Sequence, residues 1–317
     1  MRSIPVTILA GSDRKPGALP ESGAGMHPLS CYKGVAIEIE GRPLLALLVE
    51  RLAAIAGFGP IVVAGPARVF APLGLEARMV DTDGSVATNL RAAIEAHEAS
   101  SAGVMAVMAC DVLPTSAELL ELRTRFEEAP PCALWFPFVR VPEDPNALGA
   151  FAWKPVYRVV PGDGGEAVRI LPGHLAVFDP GALRLPLLYR LLDASYRARN
   201  RSLAHRRAVL LRTVLLSLVA QDVKLLAGLR LPSRTVTIVS SGLQLARAVR
   251  RGPIRLPELE RLVGRIFLRA HVPHEGGIRL PIVDVLTLAE DIDTVEEASQ
   301  LARELQGRVS PPAQLGG

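Results

Sequence analysis

Apolar positions along this chain fall alternately into short unbroken runs and into helical spacing. Ile4 to Leu9 is an apolar run of strand length, and Leu44 to Ala56 repeats its leucines at helical intervals. Ile61 to Ala64 and Met79 to Asp81 read as short strands, Asn89 to Ala99 as a helix, and Val104 to Cys110 as a buried strand. A helix over Leu119 to Glu128, opening near Ser116, precedes strand-like Ala133 to Val141 and Phe151 to Val160. The turn-rich Pro142-Glu143-Asp144-Pro145-Asn146 separates those two, and Leu175 to Phe178 adds a short strand. This alternation predicts an α/β fold with a doubly wound, mostly parallel sheet. Ligands of such sheets sit at the carboxyl ends of the strands, where Gly11 to Arg14 and Asp111 emerge.

The pattern changes after residue 180. Leu187 to Ala227 reads as helix interrupted by the basic stretch Arg197 to Arg207, and Gln244 to Arg250 and Glu258 to Arg269 also favour helix. Strand-like Ile282 to Leu286 and a helix from Thr294 then return to the earlier style. The expected organisation is an α/β core over 1–180, a basic helical insertion over 181–270, a return to the core over 271–309 and a flexible tail over 310–317. Charge follows the same division. Residues 181–270 hold 18 Arg or Lys against 4 Asp or Glu, whereas the 317-residue chain carries only +4. The basic balance belongs to one segment, so it does not imply nucleic-acid binding by the core.

The three cysteines, Cys31, Cys110 and Cys132, have no C-x-x-C spacing, which argues against a disulfide framework or a zinc site and for a reducing cytosol. The first strand begins too near Met1 to leave room for a secretory signal. Val209 to Ala220, the longest apolar run, contains Arg212 and falls short of the roughly 20 residues a spanning helix needs. Arginines interleaved with apolar residues over Arg206 to Leu216 suit peripheral contact of 181–270 with an anionic membrane surface. The alternative is that the apolar side packs inward and the arginines cover its rim. A cytoplasmic protein, with or without membrane association, is expected.

Three segments carry candidate chemistry. Ala10-Gly11-Ser12-Asp13-Arg14-Lys15-Pro16-Gly17 is a small-residue loop with cations after the first strand, suited to close backbone approach to a polyphosphate. Lys33 follows, ahead of Gly41-Arg42-Pro43-Leu44-Leu45. Asp111 ends an apolar strand and precedes Val112-Leu113-Pro114, the place for a carboxylate that holds Mg2+. Glu290-Asp291-Ile292-Asp293-Thr294-Val295-Glu296-Glu297 opens the last helix, where Asp293 or Thr294 can cap and acids in the first turn suit the helix dipole.

Together these segments resemble the molybdenum-cofactor (MobA-like) and sugar-phosphate nucleotidyltransferases, which carry an L-A-G-G loop ending in Arg, a later Lys, G-[KR]-P-L-[IL], a strand ending in C-D-x-P, and D-[IV]-D-T-P-E-D-L. The resemblance spans most of 1–180 and resumes at about 280–305. It implies a nucleotide-diphospho-sugar-transferase-like, GT-A-like fold. It also implies Mg2+-dependent transfer of an NMP from an NTP, such as CTP, to a phosphorylated small-molecule or lipid-linked acceptor, with release of pyrophosphate. By the same resemblance Lys33, Asp111 and Arg14 are catalytic; Ala10, Gly11, Ser12, Gly84, Ser85 and Asn89 contact the nucleotide; and Asp111, Asp291 and Asp293 hold the metal. Ser85, Thr88 or Asn89 could equally cap the helix that follows. Lys154 and Arg158 mark a strand-like place to meet an acceptor phosphate, Trp153 reads as a rim or core aromatic, and His27, His174, His205, His271 and His274 read as structural or exposed. Ser12 stands where the families carry Gly and Val295 where they carry Pro, which motivates a second reading, a non-catalytic nucleotide-binding or scaffold protein. A third, a GT-A-like glycosyltransferase, needs a D-x-D at a strand end, for which Asp81-Thr82-Asp83 and Asp291-Ile292-Asp293 are the triplets.

Overall fold

The computed structural model describes residues 3–11, 23–99, 103–162, 165–198, 233–269 and 277–309, with Val209, Arg212 and Val272 in addition. In chain order its strands are β1 (Ile4–Leu9), β2 (Glu38–Ile39), β3 (Arg42–Pro43), β4 (Phe58–Gly65), β5 (Arg78–Asp81), β6 (Met105–Ala109), β7 (Leu134–Trp135), β8 (Phe138–Arg140), β9 (Tyr157–Val160), β10 (Val168–Pro172), β11 (Leu175–Phe178), β12 (Ile254–Arg255), β13 (Ile278–Arg279) and β14 (Ile282–Val283). The fold is mixed α/β with a largely parallel central sheet of order β13-β7-β11-β6-β1-β4-β5. Strand β1 lies between β4 and β6, parallel to both, with Leu9 level with Ala64 and Ala109. The strand is covered on both faces, so Val6 and Ile8 on one face are fully buried and Thr7 on the other nearly so.

That register aligns the strand exits. Gly11 after β1, Thr82 to Ser85 after β5 and Asp111 after β6 open on one edge of the sheet. Strand β11 runs antiparallel to β6 and starts at the same edge, where the Ala109 N–H bonds the His174 carbonyl at 3.1 Å. Helices cover the sheet through apolar stripes. In Leu44–Ala53 the stripe is Leu44, Leu45, Leu48, Val49 and Leu52, all buried. The helix Val86–Glu98 is capped by Ser85, and Ser116–Glu128 by a Thr115/Glu118 capping box.

A second sheet, of order β12-β9-β10-β8-β14, differs from the sequence expectation. Ala133 to Val141 is not one strand: Leu134–Trp135 pairs in the central sheet and Phe138–Arg140 in the second. Pro137, which has no N–H to donate to a ladder, stands between them. The chain at 278–283 runs alongside and crosses between the sheets in the same way. Phe151 to Val160 is also divided. Pro145–Trp153 forms 3-10 turns, Gly149 adopting φ +48°, and only Tyr157–Val160 is strand. The segment 181–270 is not helical throughout, because β12 pairs parallel with β9 in the second sheet. The described helices of that segment are Leu185–Ala198, Ser233–Arg251 and Leu256–Phe267. Nearly all of the Arg206 to Leu216 stretch lies outside the described residues, which contain no helix long and apolar enough to cross a membrane.

Candidate active site

The carboxyl edge of the central sheet gathers an acidic cluster from two distant parts of the chain. The Ile292 N–H donates to the Asp111 carbonyl at 2.9 Å, and Leu29 N–H to the Asp293 carbonyl at 2.8 Å, so the segment before the last helix is stitched to the end of β6. Alternation along extended backbone sends Ile292, fully buried, one way and both flanking carboxylates the other. One carboxylate oxygen from each of Asp111, Asp291 and Asp293 lies within 4.8 Å of the others. The three proposed metal residues therefore meet.

Glu297 fixes this arrangement from below. It is fully buried and accepts from the backbone N–H groups of Asp293 at 2.6 Å and Thr294 at 2.9 Å, while its own N–H donates to Thr294 Oγ1 at 3.3 Å. This is a capping box on Val295–Val309, reinforced by the Trp153 indole, which donates to Glu297 Oε1 at 2.9 Å.

Two buried lysines neutralise the acids. Lys33, at the start of the short helix Lys33–Ala36, places Nζ 2.8 Å from Asp111 Oδ2 and 2.6 Å from Asp293 Oδ1. It is neither an exposed loop lysine nor turned to solvent. Lys154 is off the predicted strand, at the end of the 3-10 turns, and its Nζ bonds the Asp291 carbonyl at 2.5 Å, Asp291 Oδ1 at 2.7 Å and Asp293 Oδ2 at 3.0 Å. The Glu297 carboxylate stands 3.6 Å away, and the Trp153 ring lies 5.0 Å from the ammonium. Burial opposes charge on Lys154, yet Asp291, Asp293 and Glu297 together hold its ammonium above the ordinary lysine range. The acids are driven apart. Asp291 is held well below the usual carboxylate range because His174 and Lys154 outweigh its burial, whereas burial and the charge of Asp291 push Asp293 upward.

His174 belongs to this cluster rather than to the structural or exposed histidines. Its Nε2 is 3.3 Å from Asp291 Oδ1, and despite burial the neighbouring carboxylate raises its pKa. Arg158, by contrast, lies on β9, paired in the second sheet.

Beside the acids is a cavity of about 260 Å³, lined by Leu9, Gly11, Lys33, Gly84, Val86, Asn89, Ala109, Cys110, Asp111, His174 and Tyr196. Of the predicted nucleotide contacts, Gly11, Gly84 and Asn89 line it. Asn89 is buried and its Oδ1 accepts from Thr82 Oγ1 and the Gly84 N–H, both at 3.0 Å, which shapes the loop. A Cβ on Gly11 would stand 3.0 Å from Asn89 Nδ2, so glycine keeps that wall open. Ala10 is buried in the core, and the Ser85 hydroxyl is engaged with the Thr88 N–H and Asp193. Ser12 and Arg14, with Lys15, lie outside the described residues. Next to Gly84 in the chain, Asp83 accepts from Arg68 Nη2, which also donates to the Tyr32 hydroxyl, each at 2.8 Å.

The sequence marks Lys154 for an acceptor phosphate and not for the acid cluster, and His174 and Tyr196 carry no local signal assigning them to this place. Glu297 does, since Thr294-Val295-Glu296-Glu297 is a capping-box pattern.

No family model matches the sequence, and no curated protein matches it. Among solved structures, a hypothetical transferase from Thermus thermophilus matches at TM-score 0.57 and 22% identity, covering 94% of this chain and 100% of that one. A 4-diphosphocytidyl-2C-methyl-D-erythritol synthase from Anaerococcus prevotii matches at TM-score 0.44 and 9% identity, covering 96% of this chain and 99% of that one. A CMP:2-keto-3-deoxy-manno-octonic acid synthetase complexed with CTP matches at TM-score 0.42 and 14% identity over 60% of this chain and 78% of that one. The likeness to the Thermus protein extends over nearly the whole chain, and what it establishes is a shared fold.

Proposed function

We propose that this chain is a Mg2+-dependent nucleotidyltransferase that joins an NMP from an NTP to a phosphorylated acceptor and releases pyrophosphate. The observation that carries the reading is the meeting of Asp111, Asp291 and Asp293 beside a cavity bounded by Gly11 and Gly84. Three carboxylates converging at the carboxyl end of a parallel sheet are an oxygen donor set of the kind hard divalent cations choose. Asp111, Asp291 and Asp293 would hold the Mg2+, which would supply Lewis-acid stabilisation of the phosphoryl oxygens.

The chain's own groups account for the rest of the chemistry by positioning and charge, so no covalent nucleophile is needed. Gly11 allows backbone to approach the polyphosphate, and Ser12 and Arg14 are the further contacts that the sequence resemblance implies. Lys33 reaches both Asp111 and Asp293, so its ammonium borders the carboxylates on the cavity side and can balance phosphate charge there. Lys154 lies behind the carboxylates and holds Asp291 ionised instead of meeting an acceptor. His174 orients the same carboxylate. CTP is the candidate donor that the sequence resemblance implies, and the acceptor is a phosphorylated small molecule or lipid head group.

The test is pyrophosphate release with each of the four NTPs and MgCl2 over a panel of phosphorylated sugars, polyols and lipid head groups. Release with one pair, suppressed by chelation, is the expected result. Nucleotide binding without turnover across the panel would move the chain to the scaffold reading, and hydrolysis of a sugar nucleotide would make it a glycosyltransferase.

A further inference from the structure

The helix Leu185–Ala198 opens the basic segment, yet it is docked on the helix that leaves the Gly84–Ser85 loop. Leu185 and Tyr189 share a buried cluster with Ala87, Leu90 and Ile94. The Arg91 guanidinium lies 4.9 Å from the Tyr189 ring centre, a cation over an aromatic face. One turn further on, Ser85 Oγ donates to Asp193 Oδ1 at 2.6 Å. Nearly another turn on, Tyr196 lines the cavity that Gly11, Gly84, Asn89, Asp111 and His174 border.

Tyr189, Asp193 and Tyr196 are spaced i, i+4 and i+7, so they form one stripe on one face of this helix. A single rigid face thus packs on the core, grips the loop beside the cavity and presents an aromatic ring to it. The Asp193 bond joins the helix to the Ser85 cap, so the loop that carries Gly84 and the ring of Tyr196 are held in fixed relation.

Apart from Tyr196 and the Asn89 amide, the uncharged cavity walls are small or aliphatic, namely Leu9, Gly11, Gly84, Val86, Ala109 and Cys110, and its charged groups are Lys33, Asp111 and His174. A cavity that offers an aromatic ring and aliphatic walls together with Lys33, Asp111 and His174 suits a ligand that is a flat ring at one end and anionic at the other. We propose that Tyr196, carried into the site by the first helix of the basic segment, forms the wall against which the nucleoside part of the NTP stacks. This inference rests on the nucleotidyltransferase reading of the same cavity. It gives the 181–270 segment a part in substrate recognition.

The test measures binding by calorimetry, with MgCl2, of each NTP and of inorganic tripolyphosphate, which has the charge but no nucleoside. Tyr196→Ala and the bulkier Tyr196→Leu should weaken binding of the preferred NTP about tenfold or more, the size of one lost base–aromatic stack. Tyr196→Phe should stay within about twofold, and tripolyphosphate should bind all variants as it binds the unaltered chain. Equal NTP affinity in the Ala and Leu variants would overturn the inference while leaving the nucleotidyltransferase reading in place. A parallel loss of tripolyphosphate binding would also overturn it, because Tyr196 would then be supporting the fold of the site. An unaltered chain that binds no NTP would instead refute the reading on which the inference rests.

Discussion

Replacing Lys154 with Met removes a buried charge while keeping much of the side chain's apolar volume. The side chain is only 6% exposed, and its ammonium is shared by Asp291 at 2.7 Å, Asp293 at 3.0 Å and Glu297 at 3.6 Å. Removing one partner from a buried ion pair typically costs about 3–5 kcal/mol, because the charge left behind has lost its water and gained nothing. Three carboxylates share this loss, and Lys33 still faces Asp293, so the same range is the expected outcome. With an unfolding entropy near 2.1 cal/mol/K per residue, it corresponds to a fall in Tm of about 4–8 °C. The pH dependence has a definite sign. Asp291 is held below its ordinary range in the folded chain, so its stabilising contribution is present above the unfolded carboxylate value and is lost as the pH falls through the folded one. The deficit of the variant should therefore be greatest near neutral pH and shrink in acid. Added MgCl2 should recover part of it, since a divalent cation can neutralise the same oxygens. Thermal melts at pH 7 and at about pH 3, below the unfolded carboxylate value of about 3.9, with and without MgCl2, make the comparison. A deficit below about 1 kcal/mol at pH 7, or one that grows in acid, would refute the reasoning.

Asp111→Asn should lower Mg2+-dependent pyrophosphate release by at least about 100-fold, while Lys33 keeps Asp293 as a partner and the melting temperature changes little; near-normal turnover would remove Asp111 from the chemistry. Glu297→Ala strands the Asp293 and Thr294 N–H groups and the Trp153 indole, and should cost on the order of 3 kcal/mol in urea unfolding, with Glu297→Gln recovering part; a cost under about 1 kcal/mol in the Ala variant would contradict the capping account. Gly84→Ala would put a Cβ 2.6 Å from the Thr88 side chain, so the loop must shift, and NTP affinity should fall while global stability falls by only about 1–3 kcal/mol; unchanged affinity would exclude Gly84 from the nucleotide wall.

Elements with a strong local period were legible in the sequence. Ile4 to Leu9 reads as a strand because its apolar run is bounded by a small-residue loop, and the structure has Ile4–Leu9. The start of the closing helix at Thr294 follows from capping chemistry that needs only four consecutive residues. Even the orientation of Asp291 and Asp293 to one side of Ile292 is a property of extended backbone. What the chain's local pattern does not encode is which apolar run lies beside which. Ala133 to Val141 divides between two sheets because neighbours about 140 residues later in the chain, at β13 and β14, pair with its two halves. Strand β11 takes its place beside β6, and that pairing, together with the bond from the His174 N–H to the Leu288 carbonyl at 2.9 Å, brings His174 to Asp291. Lys154 and Tyr196 reach the site through the packing of a 3-10 segment against the closing helix and of one helix on another. Local periodicity says which face of an element is buried, but the partner is selected by the shape and polarity of the whole core, and so the cluster's counter-ions and the cavity's aromatic wall were decided only by the tertiary structure.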